Sequence, residues 1–449
     1  MIRQRSARRL AACLSGWVVA LAVGGAGRLD AQNFPSSIVP SRWEGEASLG
    51  APLRIGLSIL AGPKGPSDPV VLLDVPESGV IDLAGSAITI DGDSVRFSMP
   101  VRGTLVPFAA GIHGNEMVGT ANMGAPVRIH LARVPIPVLP YRIEEITIQH
   151  DSIRLASSLY LPTTPGPHPA IVFHHGAYAD TRNVWRFWAD HFARMGVATL
   201  VYDNRGAGRT NGNPHVGFED LAGDALACVA HLKADARIRG TEIGLFSGSQ
   251  GGWVASVAAV RSSDVAFVVM IAGPGEPVGR NVLRESESML RTAKFAAGDI
   301  AKALAAKQRI EARIASGASD DEIDRSLAEI QGERWAEYIG IPQRGTWQRT
   351  WWRQIGAFDP SANWSRVHIP VLVLDGTLDT QVPVADSHAA FAQAFGKAGN
   401  PDFSFLVFNG AGHGLELETR PVLAAGVVPA LSAWVRNHVT LTPTPALGP

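Results

Sequence analysis

The feature that most constrains this chain is a change of rhythm at Tyr141. Beyond it, nearly solid apolar runs at residues 170–173, 198–202, 243–246, 266–271, 371–374 and 403–408 alternate with helical stretches. A strand that is apolar on both sides must be covered on both faces, and helices between the strands supply the cover. That pattern belongs to an α/β fold with a mostly parallel sheet. Residues 143–150 and 153–161 precede it and read as a hairpin. The two parts of this core are expected at 138–281 and 359–440. Residues 282–358 break the rhythm with a helical period, charged and amphipathic over 302–330 and aromatic over 347–352. A long helical insertion before a late sheet strand is expected to form a cap over a site. The alternative is a surface excursion with no part in binding.

Ahead of the core, residues 32–137 are glycine-rich, with short alternating runs at 53–60, 70–75, 87–90, 94–99 and 127–131. They read as a small antiparallel β domain. Pro135, Pro137 and Pro140 stiffen the linker that follows. Residues 1–31 carry a basic head (Arg3, Arg5, Arg8, Arg9), an apolar run and a small residue at Ala31. That is the composition of a secretory signal peptide, with cleavage expected near Ala31 and the mature chain exported, periplasmic or extracellular. A lipoprotein reading of Cys13 fails because no apolar segment precedes it, and the residues around Arg8-Arg9 fit twin-arginine export poorly. The run is too short for a membrane span, so none is expected in the mature form. Residues 441–449 read as a loose tail.

Charge excludes some partners. Lysine plus arginine is 40 against 41 for aspartate plus glutamate, so nothing favours nucleic acid. Of the two cysteines, Cys13 leaves with the leader. Cys228 lies in an amphipathic helix and is expected to be a packed core thiol, so the mature chain would have no disulfide.

The chemistry-bearing residues follow the parallel strands. Residues 243–253 read as strand, tight turn and helix, with Ser249 at the turn. A nucleophile held on such a turn needs small residues two before and two after, because their backbones approach. Ser249 has Ser247 and Gly251 there, whereas Ser247 would have Leu245 behind it. Ser249 is therefore the candidate nucleophile. It needs a base and a carboxylate to orient that base. Asp379 follows the strand at 371–374, and His413 lies in a glycine-flanked loop after the strand at 403–408. Asp375, directly at its strand end, is the competitor for the acid and is expected to brace the turn instead. The backbone N–H groups of Ala177 and Gln250 are the expected oxyanion donors. Tyr178 is a candidate substrate-binding residue. His174 and His175 have no third ligand at metal spacing and read as structural, so no metal is expected. Residues 202–210 are glycine-rich but lack a nucleotide-binding pattern, and no cofactor is expected. Asp203 and Arg205 there are expected to pair.

On these residues the chain resembles a known family. The stretches 175–182, 202–208, 247–252 and 376–379, together with Gly412-His413, are similar to two-domain bacterial carboxylesterases. Those are related to the serine aminopeptidase and prolyl-oligopeptidase branch of α/β-hydrolases. Trp43-Glu-Gly45 and residues 119–122 extend the likeness into the β domain. The resemblance implies an α/β-hydrolase fold acting on short acyl esters, with Ser249, Asp379 and His413 as the triad. Ser247 stands where the family usually has glycine, and Gly248 where histidine is usual. A small-molecule ester is the expected substrate. A serine peptidase or amidase would use the same triad, and one that reads a free amino terminus needs acidic residues at its pocket. The cap offers Glu285, Glu287, Glu333 and Glu337, although a charged helix face is usually only solvated. A non-catalytic binding protein on a hydrolase scaffold would be expected to have lost part of the triad.

Overall fold

A computed structural model describes residues 38–441, apart from 102–103 and 178–179. The expected leader, all but the first residue of the expected tail, and Tyr178 lie outside the described residues. The chain forms two units. One comprises Met1–Leu139 with Arg186–Trp188, the other Pro140–Trp185 with Ala189–Pro449.

The first unit is one nine-stranded antiparallel sheet: β1 (Ser41–Leu49), β2 (Ala51–Gly62), β3 (Gly65–Val75), β4 (Val80–Ala84), β5 (Ser86–Asp91), β6 (Ser94–Val101), β7 (Thr104–His113), β8 (Glu116–Asn122) and β9 (Pro126–Val134). Neighbours run in the order β4-β3-β2-β1-β9-β8-β7-β6-β5. The two outermost strands are joined through Gly85 alone, so the sheet rolls round until its edges meet. The inner face is buried at Trp43, Ile59, Val71, Val95 and Met99, and alternation along β9 puts Val127, Ile129 and Leu131 there. The sequence signal covered five of these strands. β1 and β8 escaped it because their inward positions include Gly45, Ala47, Gly119 and Ala121, which carry little hydrophobic signal. They are small because the neighbouring backbone is close: a Cβ on Gly45 would run into the His130 carbonyl, and one on Gly119 into that of Ala109.

The second unit is built on an eight-stranded sheet: β10 (Tyr141–His150), β11 (Ile153–Pro162), β12 (His168–His174), β13 (Ala198–Tyr202), β14 (Ile238–Gly248), β15 (Phe267–Ile271), β16 (Val371–Gly376) and β17 (Phe403–Phe408). The order is β10-β11-β13-β12-β14-β15-β16-β17. β10 pairs antiparallel with β11, and β11 with β13. All later pairings are parallel. Every residue of β12, β13, β15 and β16 is buried, as strands covered on both faces must be.

The cover comes from helices α1 (Arg186–Arg194), α2 (Phe218–Lys233), α3 (Gly251–Arg261), α4 (Val278–Thr292), α5 (Ala297–Ala315), α6 (Asp320–Ala328), α7 (Trp347–Ile355), α8 (Ser361–Trp364), α9 (Val384–Ala398) and α10 (Val427–His438). On one face α2 packs on α3 through Phe218 and Trp253. On the other, Phe192 of α1 meets Phe173, and Trp434 of α10 meets Phe267. Cys228 is buried on α2 as a free thiol, and burial pushes its pKa well up.

Helices α4–α7 form the insertion between β15 and β16. α6 starts at a reciprocal cap in which Ser319 Oγ accepts from Glu322 N and Glu322 Oε2 accepts from Ser319 N. The interior of the insertion holds a buried ion pair, Lys307 Nζ to Glu311 Oε1 at 2.5 Å, and Lys307 also donates to the Ile339 carbonyl. α7 is tied to the segment leading into α2. His215 stacks on Trp347 with ring centroids 3.6 Å apart, and Trp351 Nε1 donates to the Val216 carbonyl.

The expected Asp203–Arg205 pair is not formed. Arg205 turns instead to the buried Asp224 on α2, at 2.5 Å and 3.0 Å, a fork that also meets His150. Asp203 accepts the backbone N–H groups of Arg182 and Arg209. Two residues apart on a turn, the two side chains point to different neighbours, and the planar guanidinium finds a bidentate partner across the fold.

Candidate active site

Ser249 sits where β14 passes into α3. Its φ is 51°, the left-handed region that side chains rarely adopt. Ser249 N donates to the Ile271 carbonyl at 2.9 Å, and Gly252 N donates back to the Ser249 carbonyl at 2.8 Å. A non-glycine residue held there costs on the order of 1 kcal/mol, and such strain concentrates at functional positions. The turn is as tight as the sequence argument requires. A Cβ on Gly251 would lie 2.9 Å from Ser247 Cβ and 2.8 Å from the His175 carbonyl. The two serines differ in access: Ser247 is fully buried and its Oγ has no hydrogen-bond partner among the described residues, whereas Ser249 is half-buried and reachable. Gly248 has a local cause too. A Cβ there would sit 3.2 Å from the Trp185 ring, which packs against Phe173 and Phe246 beside the turn.

Asp379 and His413 come together from separate loops. Asp379 follows β16 and His413 follows β17. The Asp379 side chain is fully buried, with Oδ2 at 2.8 Å from His413 Nδ1. Its Oδ1 accepts the backbone N–H groups of Gln381 at 2.7 Å and Val382 at 3.0 Å. A carboxylate can only accept, so Nδ1 carries the proton and the lone pair of His413 lies on Nε2. Asp375 belongs to another pair, with His388 Nε2 of α9 at 2.7 Å. It ties β16 to α9, and burial raises its pKa.

Gly376 sets the distance between the two loops. A Cβ on it would overlap the Ala411 carbonyl oxygen and lie 2.5 Å from that of Gly412, directly before His413. Leu378 N also donates to the Ala411 carbonyl at 2.9 Å. Gly376→Ala is therefore expected to push the His413 loop away and lower kcat/KM roughly 10–100-fold, since about 1 Å of misplacement costs on that order. It should also cost about 1–3 kcal/mol of stability. Hydrolysis kinetics and a denaturant titration check both; wild-type values would remove Gly376 from the alignment of the pair.

The loop after β12 meets the Ser249 turn from the other side. A Cβ on Gly176 would lie 3.3 Å from the Gly248 carbonyl and 3.6 Å from Ser249 Cβ. The next residue, Ala177, is exposed, and Gln250 is buried at the first turn of α3. First-turn amides have no acceptor within their helix, so this is where donors for a developing anion are available. His174 and His175 lie beneath. His174 Nδ1 meets Tyr202 Oη at 2.5 Å, and His175 Nε2 meets the Tyr202 carbonyl. Burial pulls their pKa values down to about 3 and about 4.

Those shifts predict acid sensitivity. Both imidazoles stay neutral in the folded protein, while the unfolded chain takes up their protons below about pH 6.5. Stability is then fully present above that pH and falls on acidification until the folded values near 4 and 3 are reached. Scanning calorimetry should show Tm falling from pH 6.5 toward 4, with a shallower fall in His174→Gln. Equal slopes would contradict a buried neutral pair.

Of the four cap carboxylates, Glu333 and Glu337 are exposed and Glu287 pairs with Arg291 on its own helix. Glu285 alone is electrostatically linked to the site. Burial raises its pKa, Lys307 and His413 oppose the rise, and Asp379 adds to it. A cavity of about 520 Å³ in the insertion, lined by Leu327, Ile330, Ile341 and Arg344 among others, contains none of the site residues. Among the described residues no cluster of metal-ligating side chains occurs, and no helix is long and apolar enough to cross a membrane.

A parallel sheet with a strained serine after β14 and an acid–histidine pair after its last two strands defines an α/β-hydrolase architecture. The model of the alpha/beta hydrolase family matches residues 171–425, more than half of the chain, and the chain belongs to that family. A curated relative, the quorum-quenching protein AidA of Acinetobacter baumannii (strain MDR-ZJ06), is 27% identical over 128 residues, 28% of this chain and 42% of that protein. The chain thus spans about two fifths of that relative. Among solved structures, DcsB in complex with its substrate analogue is 20% identical, covering 67% of this chain and 99% of that one, at a TM-score of 0.45. The Pyrococcus furiosus esterase Pf2001 is 15% identical, covering 68% and 95%, at a TM-score of 0.44.

Proposed function

We propose that this hydrolase cleaves carboxylic esters, with short acyl chains, through an acyl-enzyme on Ser249. The observation that carries the reading is the buried Asp379–His413 hydrogen bond, found together with a reachable serine on a left-handed turn. His413 Nε2 takes the proton of Ser249 as Oγ attacks the ester carbonyl. The tetrahedral oxyanion is held by the N–H groups of Ala177 and Gln250. The intermediate collapses, the C–O bond to the alcohol breaks, and His413 returns the proton to the leaving oxygen. Water then attacks the acyl-enzyme with His413 again as base, releasing the acid and restoring Ser249. Asp379 keeps the imidazole in the required tautomer. The insertion over residues 282–358 caps this site, and the basic, apolar leader directs export with cleavage near Ala31.

A panel of para-nitrophenyl esters of increasing acyl length, run beside aminoacyl anilides, tests the reading. Ester turnover that is fastest for short acyl groups is the expected result. Faster cleavage of the anilides would move the assignment to a peptidase or amidase. The absence of turnover on both, with no labelling by a fluorophosphonate, would end the hydrolytic reading.

A further inference from the structure

The first turns of α4 carry, beside the loop of the Asp379–His413 pair, two side-chain acceptors that have no donor among the described residues. Asn281 is only 7% exposed. Its Nδ2 donates to the Gln381 carbonyl at 3.2 Å, in the loop whose amides hold Asp379, while its Oδ1 has no partner. Glu285 follows at i+4 and so lies on the same helix face. Arg284, between them, pairs with Asp386 at the start of α9, which fixes α4 along that loop. Glu285 is half-buried and, among the described residues, accepts no hydrogen bond and closes no ion pair. The charged and titratable groups around it are Lys307, His413 and Asp379. Lys307 directs two of its three N–H groups to Glu311 and the Ile339 carbonyl, and among the described residues makes no hydrogen bond to Glu285. A partly desolvated carboxylate and a buried amide oxygen without donors are costly to leave so. A ligand bearing N–H donors and a positive charge supplies what both lack.

We propose that Glu285 and Asn281 form a subsite for a protonated amine, so that the preferred substrates are esters carrying a primary or secondary ammonium group on the part that lies beneath the insertion. This deepens the ester-hydrolase reading and rests on it. Recognition is by charge from Glu285 and by geometry from Asn281 Oδ1, so an ammonium with N–H bonds is favoured over a quaternary one. An anionic substrate is disfavoured for the same reason.

Matched para-nitrophenyl phosphonates test this without requiring turnover. Ser249 Oγ forms a bond to phosphorus, para-nitrophenolate leaves, and the serine proton passes to His413. Two sets are compared, with the variable chain on the acyl-equivalent or the alkoxy side, each over a short series of lengths. Within a set the chain ends in ammonium, trimethylammonium or an uncharged methyl group. The ammonium probe is expected to inactivate the wild-type protein about tenfold or more faster than the methyl probe on at least one side. The trimethylammonium probe should fall between. In Glu285→Gln the ammonium-to-methyl ratio should drop toward unity, and Glu285→Asp should restore part of it. A wild-type ratio near unity on both sides, or a ratio unchanged in Glu285→Gln, overturns the subsite while leaving the hydrolase reading intact. Failure of every probe to label Ser249 overturns both.

Discussion

Ser249→Ala is expected to lower kcat/KM for esters by roughly 10⁴–10⁶-fold while leaving the fold in place. Ser247, the other serine of the turn, is fully buried and its Cβ faces Gly251 on the inside of the turn. The loss should therefore not be shared between the two serines, and fluorophosphonate labelling should vanish with Ser249. The fold should survive, or gain slightly, because alanine keeps the Cβ and removes a hydroxyl that makes no hydrogen bond among the described residues. Labelling that persists in Ser249→Ala would move the nucleophile, and Ser247→Ala would be the variant to test next. Residual activity above background is still expected, since oxyanion donors and substrate binding act without the nucleophile.

Asp379→Asn should lower kcat/KM by about 10⁴-fold. The substitution is isosteric, but its chemistry is wrong on both sides. Asp379 receives three donors: the amides of Gln381 and Val382 at Oδ1 and His413 at Oδ2. An asparagine has one acceptor atom and one donor group, so whichever way it turns, one donor faces another. The amides belong to a fixed backbone, so the imidazole yields and adopts the tautomer with its proton on Nε2. His413 then cannot accept from Ser249. Steady-state kinetics with a thermal melt separates this from unfolding. The comparison variant is Asp375→Asn, which touches His388 and not His413 and should leave kcat/KM within a few-fold of wild type while lowering Tm. If Asp375→Asn proved the more damaging to kcat/KM, the acid would be Asp375.

Much of the fold and of the candidate site is legible in the amino-acid sequence. The doubly covered sheet is legible because a strand buried on both faces has to be apolar throughout, and residues 170–173 or 371–374 show that directly. The order serine, acid, histidine is legible because each lies in the loop after its own strand. Gly251 can be singled out because backbone approach at a tight turn leaves no room for a Cβ. The first unit is harder. Five of its nine strands carry an alternating signal, while β1 and β8 bury small residues and look like loops. Asp203 and Arg205 mislead because proximity along the chain is a poor guide to which partner a long guanidinium reaches.

The cap carboxylates mark the boundary between the two kinds of information. The amino-acid sequence by itself determined the layered α/β core, the candidate residues Ser249, Asp379 and His413, and the presence of a helical insertion. These follow from local periodicity, turn sterics and chain order, which act over a few residues. Only the tertiary structure decided that Asp379 rather than Asp375 meets His413, that Gly376 gauges the spacing of their loops, and that Glu285 alone of four similar glutamates lies within electrostatic reach of His413 and Asp379. Burial, desolvation and charge–charge contact depend on which distant segments the fold brings together, and no local pattern around Glu285 reveals its nearness to His413.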